Sequence, residues 1–290
     1  MGWDRAKCDE RGASVKIIRI LNNNAVVVRD GDQEKIAIGG GIAFQKKRND
    51  VISPSKIEKM FVMQEESEHF QELLHRINVE YFSISEEIIS YAEATLGGKL
   101  NEHIHIALTD HLAFSIERIK EGIILQNRLL NEIKVLYETE FKIGLWAINH
   151  VKERFGLDMP IDEAAYIALH IHTAKMGSGD IHESVRQATI ISSMVETITT
   201  ELQITLSGQD IAYERLITHL RFVLNRVDKK ELHTMDDEML KMIKSKFEFS
   251  FNTAKKVALL LQKDYQKSLP DAELGYIALH VERLRSFWGK

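Results

Sequence analysis

Along residues 16–61 the apolar positions come in short runs. Lys16-Ile17-Ile18-Arg19-Ile20-Leu21 half-alternates, Ala25-Val26-Val27-Val28 is rich in β-branched residues, and Glu34-Lys35-Ile36-Ala37-Ile38 follows the turn signal Asp30-Gly31-Asp32. Short β-rich runs broken by Asn and Gly predict an antiparallel meander. From Ser83 the period becomes helical. Ser83-Ile84-Ser85-Glu86 reads as a capping box, Ile88, Ile89 and Ala92 as an apolar stripe, and Leu96-Gly97-Gly98 as the stop. A second helix is predicted from His103 to Glu121, ended by Gly122, and amphipathic pattern continues from Leu129 to Phe155. Pro160 opens the helix that carries His170, because proline is preorganised for a first helical turn.

This helical pattern is used twice. Met159-Pro160-Ile161-Asp162-Glu163-Ala164-Ala165-Tyr166-Ile167-Ala168-Leu169-His170-Ile171 recurs 110 residues later as Leu269-Pro270-Asp271-Ala272-Glu273-Leu274-Gly275-Tyr276-Ile277-Ala278-Leu279-His280-Val281. Upstream, His111-Leu112-Ala113-Phe114 leading to Arg118 recurs as His219-Leu220-Arg221-Phe222 leading to Arg226. Each unit thus carries two histidines in fixed contexts, with Phe at +3 and Arg at +7 from the first. About four or five helices per unit predict an α-bundle.

Composition narrows the class. No apolar run approaches the roughly 20 residues that span a bilayer, and the start lacks a signal-peptide core. Cys8 is the only cysteine, so no intramolecular disulfide or thiol metal cluster forms and a reducing, cytoplasmic setting is expected. Residues 15–61 hold nine Lys/Arg against five Asp/Glu, whereas the whole chain has net charge −5. A basic head on an acidic body is the asymmetry expected when one end meets a polyanion.

The head holds the matching chemistry. Asn22-Asn23-Asn24 offers amide donors and acceptors, Gly39-Gly40-Gly41 allows close backbone approach, and Phe44-Gln45-Lys46-Lys47-Arg48 places an aromatic before three cations. Stacking on an aromatic, amides on base edges and cations on phosphate are the ingredients of RNA recognition. Each alone is commonplace: triple Asn is usually a turn and Lys-Lys-Arg usually a solvated face. A head of about 47 residues is also too small to bury a robust core alone, and homodimerisation is the expected remedy.

Three readings compete for His111, His170, His219 and His280. A lone histidine on an apolar helix face is most often a satisfied buried residue. Metal ligation is disfavoured: His103-x-His105 and His170-x-His172 sit at alternate positions that diverge by about 200°, and the second unit lacks both pairs. Phosphoryl acceptance on an imidazole nitrogen is compatible with a duplicated pair, though spacing alone does not select it. Glu163 lies two turns before His170, about 10.5 Å along the axis, so Glu163 and Glu273 are expected to bond to another element.

At these residues the chain resembles the BglG/SacY family of transcriptional antiterminators, over residues 15 to about 286. Ile20-Leu21-Asn22-Asn23-Asn24-Ala25 and Gly41-Ile42-Ala43-Phe44-Gln45-Lys46-Lys47 are similar to its RNA-binding domain. Thr109-Asp110-His111, Ala168-Leu169-His170-Ile171, Thr218-His219-Leu220 and Ala278-Leu279-His280-Val281 resemble its phosphorylation motifs. Asn131 to Tyr137 and Gly144-Leu145-Trp146-Ala147 are most like the sucrose-type members.

The resemblance implies a multidomain protein: a small dimeric antiparallel β-sheet RNA-binding domain followed by two homologous all-α helical bundles. The expected layout is a leader or tag at 1–14, with Val15 as the initiator, an RNA-binding head at 15–61, a linker at 62–73, and regulation domains at 74–176 and 181–287. Residues 177–180 belong to a short flexible joint. By family pattern Asn22, Asn24, Gly39, Gly41 and Phe44 contact a leader-RNA hairpin, joined by Arg19, while Gly40 departs from members with a cation there. His111 and His170 would receive phosphate linked to a sugar-specific permease (enzyme II), which inhibits. His219 and His280 would receive it from the phosphocarrier protein HPr, which activates. No enzymatic activity, cofactor, metal or membrane insertion is implied. The rival is a DNA-binding activator with the same repeats, which needs a helix-turn-helix head that residues 16–61 do not provide.

Overall fold

The computed structural model describes residues 15–23, 25–30, 33–39, 41–57, 59–62, 78–176, 181–206, 210–231 and 234–288. The expectations for Met1–Ser14, Asn24, Gly31-Asp32, Gly40, the connector after Val62 and the joint at 177–180 lie outside them.

Five strands, β1 (Val15–Asn22), β2 (Ala25–Asp30), β3 (Gln33–Ile38), β4 (Val51–Ile52) and β5 (Lys59–Val62), form one antiparallel sheet in the order β4-β1-β2-β3-β5. The meander is its centre, and two short strands flank it. β2 is central, which explains its unbroken apolar run: Val27 packs with Leu21, Ile36 and Ile38 on one face, while Val26 and Val28 pack with Ile17, Ala37, Ile42 and Ile52 on the other. A strand covered on both faces gains from apolar residues at every position. β1 only half-alternates because its register shifts between Ile17 and Arg19 and again between Ile20 and Asn22, the signature of bulges.

The first face of this sheet is closed from within the chain. Phe82, 4% exposed, joins its core, and Ile106 packs against it. They come from α1 (Val79–Leu96) and α2 (Ile104–Lys120). The helix predicted to open at Ser83 opens one turn earlier. Asn78 Oδ1 accepts the Glu80 N–H at 3.0 Å, so Asn78 is the capping side chain. Ser83 and Ser85 then lie inside the helix, where Ser83 donates to Glu87 and Ser85 donates to the Tyr81 carbonyl. Gly97 (φ +71°) and Gly122 (φ +79°) follow the two helices in the left-handed conformation that glycine adopts freely. Between α1 and α2, His105 Nδ1 lies 2.5 Å from Glu86 Oε1, and Tyr81 donates to Glu117.

The chain divides into two compact units, residues 1–90 with 102–121, and residues 91–101 with 122–290. The second unit holds α3 (Leu130–Leu136), α4 (Glu138–Phe155), α5 (Ile161–Met176), α6 (Ile181–Leu202), α7 (Ile211–Lys229), α8 (Asp237–Lys246), α9 (Glu248–Tyr265) and α10 (Asp271–Trp288). One apolar core runs through it, from Ile133, Phe141 and Ala168 of α3–α5 to Ile191, Leu220, Val257 and Ile277 of α6, α7, α9 and α10. Both repeat prolines work as expected: the Glu163 N–H donates to the Pro160 carbonyl and the Glu273 N–H to the Pro270 carbonyl, each at 3.0 Å.

The repeats conserve positions more closely than chemistry. On α4 and α5, His172 Nδ1 lies 3.3 Å and Lys175 Nζ 3.1 Å from Glu140 Oε1. At the same spots 110 residues on, Ser250 donates to Glu282, which Arg285 also holds. The acid has crossed from one helix to the other, and the contact has survived.

Candidate functional site

Of the predicted nucleic-acid residues, Asn22, Gly39, Gly41 and Phe44 lie at one end of the meander. The turn after β1 and the loop after β3 are tied together: the Ala43 N–H donates to the Asn23 carbonyl at 2.9 Å. Residues 41–45 coil into successive turns, with the Ile42 N–H on the Gly39 carbonyl and the Phe44 N–H on the Gly41 carbonyl, both at 3.1 Å. Gly41 has φ +65°, which is why this position favours glycine. Ile42 and Ala43 are buried and anchor the loop, so Phe44 is thrust outward, 63% exposed. Lys47 and Arg48 follow it, also exposed, and Arg19 is exposed on β1. Gly39 is buried at the loop's start, Asn22 ends β1, and Asn24 lies outside the described residues. A protruding ring beside surface cations can stack a base while the cations meet phosphate.

The four histidines occupy equivalent helices. His111 is on α2 in the first unit and His170 on α5 in the second; both are partly exposed, and Ser115 Oγ lies 3.4 Å from His111 Nε2. In the second repeat the structure brings the pair together. His219 on α7 and His280 on α10 stack with ring centroids 3.6 Å apart and planes 26° from parallel. Burial, then the facing His219, then Arg283 push His280 down to about 4. Burial, then Arg283, Arg226 and Arg215 lower His219. Both rings are therefore neutral near pH 7 and keep a nitrogen lone pair, the state a nucleophile requires.

Glu273 bonds to another helix, as expected from its distance from His280. Arg226 Nε and Nη2 donate to Glu273 Oε1 and Oε2 at 2.8 and 2.6 Å, and Glu273 is 0% exposed. The Arg at +7 is thus the clamp that fixes α7 against α10 and sets the two imidazoles face to face. Its repetition in the sequence was the available signal for that role. Arg215 and Arg283 were missed, because neither recurs in the first repeat. The Phe at +3 is exposed in both repeats, 65% for Phe114 and 53% for Phe222, so it is not a duplicated core residue.

Comparison with known proteins accords with this geometry. Residues 15–70 match the family described as CAT RNA binding domain, and residues 86–174 and 192–284 each match the PRD domain. The chain is 35% identical over 274 residues to the transcription antiterminator LicT of Bacillus subtilis, covering 93% of this chain and 99% of that protein. It is 33% identical over 276 residues to the beta-glucoside operon antiterminator of Dickeya chrysanthemi, covering 94% and 97%. Among solved structures, GlcT CAT-PRDI superposes with TM-score 0.50 at 38% identity, over 56% of this chain and 98% of that one. These relatives support the family without singling out its sucrose-type branch, and they favour an RNA-binding head over a DNA-binding one. With an exposed-ring sheet at its start and two histidine-bearing helical repeats behind it, the chain belongs to the BglG/SacY family of transcriptional antiterminators, built from a CAT RNA-binding domain and two PRD domains.

Proposed function

We propose that this chain is a sugar-responsive antiterminator that works as a cytoplasmic homodimer and not as an enzyme. The head, residues 15–61, grips a leader-RNA hairpin through Arg19, Asn22, Asn24, Gly39, Gly41 and Phe44. The hairpin overlaps a terminator, so holding it lets polymerase continue into a sugar-utilisation operon. The regulation domains, residues 74–176 and 181–287, read the phosphotransferase system through their histidines. Phosphate linked to the sugar-specific permease on His111 and His170 inhibits; phosphate from HPr on His219 and His280 activates.

The observation that carries this reading is the facing His219–His280 pair, neutral, partly exposed and 3.6 Å apart. A structural core position has no need of two stacked imidazoles. A phosphoryl group adds about −1.5 to −2 charges, a magnitude extended here from the hydroxyl esters. In an acidic body that charge reshapes contacts between copies, and roughly 1–3 kcal/mol of coupling changes RNA affinity about 5–150-fold. No described helix is long and apolar enough to cross a membrane.

The test is an antitermination reporter with phosphate mimics in the first repeat. His111→Asp and His170→Asp should each lower read-through in the presence of inducer. Read-through unchanged in both variants would overturn the inhibitory arm. A gel shift with leader RNA against duplex DNA tests the head, and preference for the duplex would restore the DNA-binding rival.

A further inference from the structure

We propose that His219 and His280 form one phosphoryl-acceptor site with a capacity of one, and that Arg215 and Arg283 are its counter-ions. This rests on the reading that these histidines are phosphorylated, and deepens it. Three observations carry it.

The first is the ring geometry. With centroids 3.6 Å apart and planes only 26° from parallel, the two rings lie face to face in direct contact. A phosphoryl group on each would crowd two near-dianions around one stacked pair. The second is the local supply of positive charge. Arg215 lies one turn before His219 on α7, and Arg283 one turn after His280 on α10, so each sits on the face of its histidine. Both are exposed, and neither has a carboxylate partner among the described residues. Arg226, the third cation near the pair, is held by both oxygens of buried Glu273. Two uncommitted guanidinium groups neutralise one dianion and no more.

The third observation is that the sequence of the first repeat lacks these two arginines. At the offsets that align His111 with His219 and His170 with His280, Arg215 falls on Ala107 and Arg283 on Thr173. The clamping arginine recurs as Arg118, whereas the two free ones do not. One turn from their histidines, they are placed to meet a phosphate on either ring.

The lone pair of one ring nitrogen, on either histidine, forms a bond to phosphorus as the N–P bond of the donor phosphohistidine breaks. The donor ring keeps that electron pair and takes up one proton, and the acceptor ring releases the proton of its second nitrogen. The unmodified ring of the pair stays a neutral neighbour.

The experiment uses the full chain carrying His111→Ala and His170→Ala, so that only the second repeat reports, with phosphorylated HPr as donor and intact mass as readout. One phosphoryl group per chain at saturation is expected. His219→Ala or His280→Ala added to that background should each still take one. Two groups on the parent would overturn the proposal alone. No phosphate on one of the single variants would also overturn it, because the stoichiometry would then reflect one reactive residue. No phosphate on any histidine of the otherwise unsubstituted chain would overturn the proposed function itself, and this inference with it. Replacing Arg215 and Arg283 together by Ala should shorten the lifetime of the phosphorylated parent several-fold with helical circular dichroism unchanged; an unchanged lifetime removes the counter-ion role.

Discussion

Arg226 meets Glu273 with two parallel hydrogen bonds, 2.8 and 2.6 Å, and the carboxylate has no exposure to solvent. Removing the cation leaves a buried charge without compensation. Arg226→Leu should cost about 3–5 kcal/mol in urea unfolding. Replacing both residues by Leu should recover much of that, since the stranded charge is then gone too. Arg226→Lys keeps the charge but not the planar fork, so its loss should fall between. Equal stability of the single Leu variant and the parent would remove the clamp from the account.

The histidine pair makes stability depend on pH. His280 is held down at about 4, and His219 is also lowered. In the unfolded chain a histidine titrates near about 6.5. Between the two values the unfolded state binds the extra proton and the folded state does not. Stability is therefore full above about 6.5 and falls as pH drops toward about 4. His280→Gln should flatten the melting temperature against pH in that window. A slope identical to the parent's would show that the pair does not set it.

Glu140 acts in a lower window. Burial alone raises its pKa, but hydrogen bonds from His172, its own backbone N–H and Lys175 outweigh that and bring it to about 2, against the ordinary 4.5. Its contribution is present above 4.5 and is lost as pH falls toward 2. Glu140→Gln should remove that acid-limb dependence and leave the histidine window untouched, which separates the two effects in one titration.

Phe44 offers a clean division between folding and binding. It is 63% exposed, so Phe44→Ala should change unfolding free energy by less than about 0.5 kcal/mol. Stacking on a base is worth about 1–3 kcal/mol. Leader-RNA affinity should therefore fall by roughly 5–150-fold with the melting temperature unchanged. Undiminished affinity would move the RNA face elsewhere on the head.

Two glycines of the helical repeats should respond differently to an added methyl. At Gly144 a Cβ would meet the Ala164 carbonyl oxygen at 2.2 Å, backbone against backbone between α4 and α5. Gly144→Ala should cost about 1–3 kcal/mol or more. At Gly275 the nearest atom is Met235 Sδ at 2.8 Å, the end of a flexible side chain that can swing aside. Gly275→Ala should be the milder change by thermal melting.

What could be read in advance was what local physics controls. Pro160 and Pro270 opened their helices, Gly97 and Gly122 followed theirs, and the runs ending at Leu21, Val28 and Ile38 became the meander. β4 and β5 went unseen because strands as short as Val51–Ile52 and Lys59–Val62 carry too little alternation to register. The Ser83 box misled because its motif also suits a helix interior, where Ser83 reaches Glu87 one turn on. Repetition exposed His111, His170, His219, His280 and the clamping arginine. It concealed Arg215 and Arg283, which belong to one repeat only. The stack of His219 on His280 depends on two helices far apart in sequence, and no spacing rule encodes that approach.

Phe82 and Ile106 bear on how the head should be studied. Cut free after Val62, the sheet would lose both side chains and bare Leu21, Val27, Ile36 and Ile38 to water. A truncated head must find fresh apolar cover, and another copy of itself is the nearest supply. Self-association seen in such a fragment therefore reports partly on the excision, and only the intact polypeptide can calibrate it.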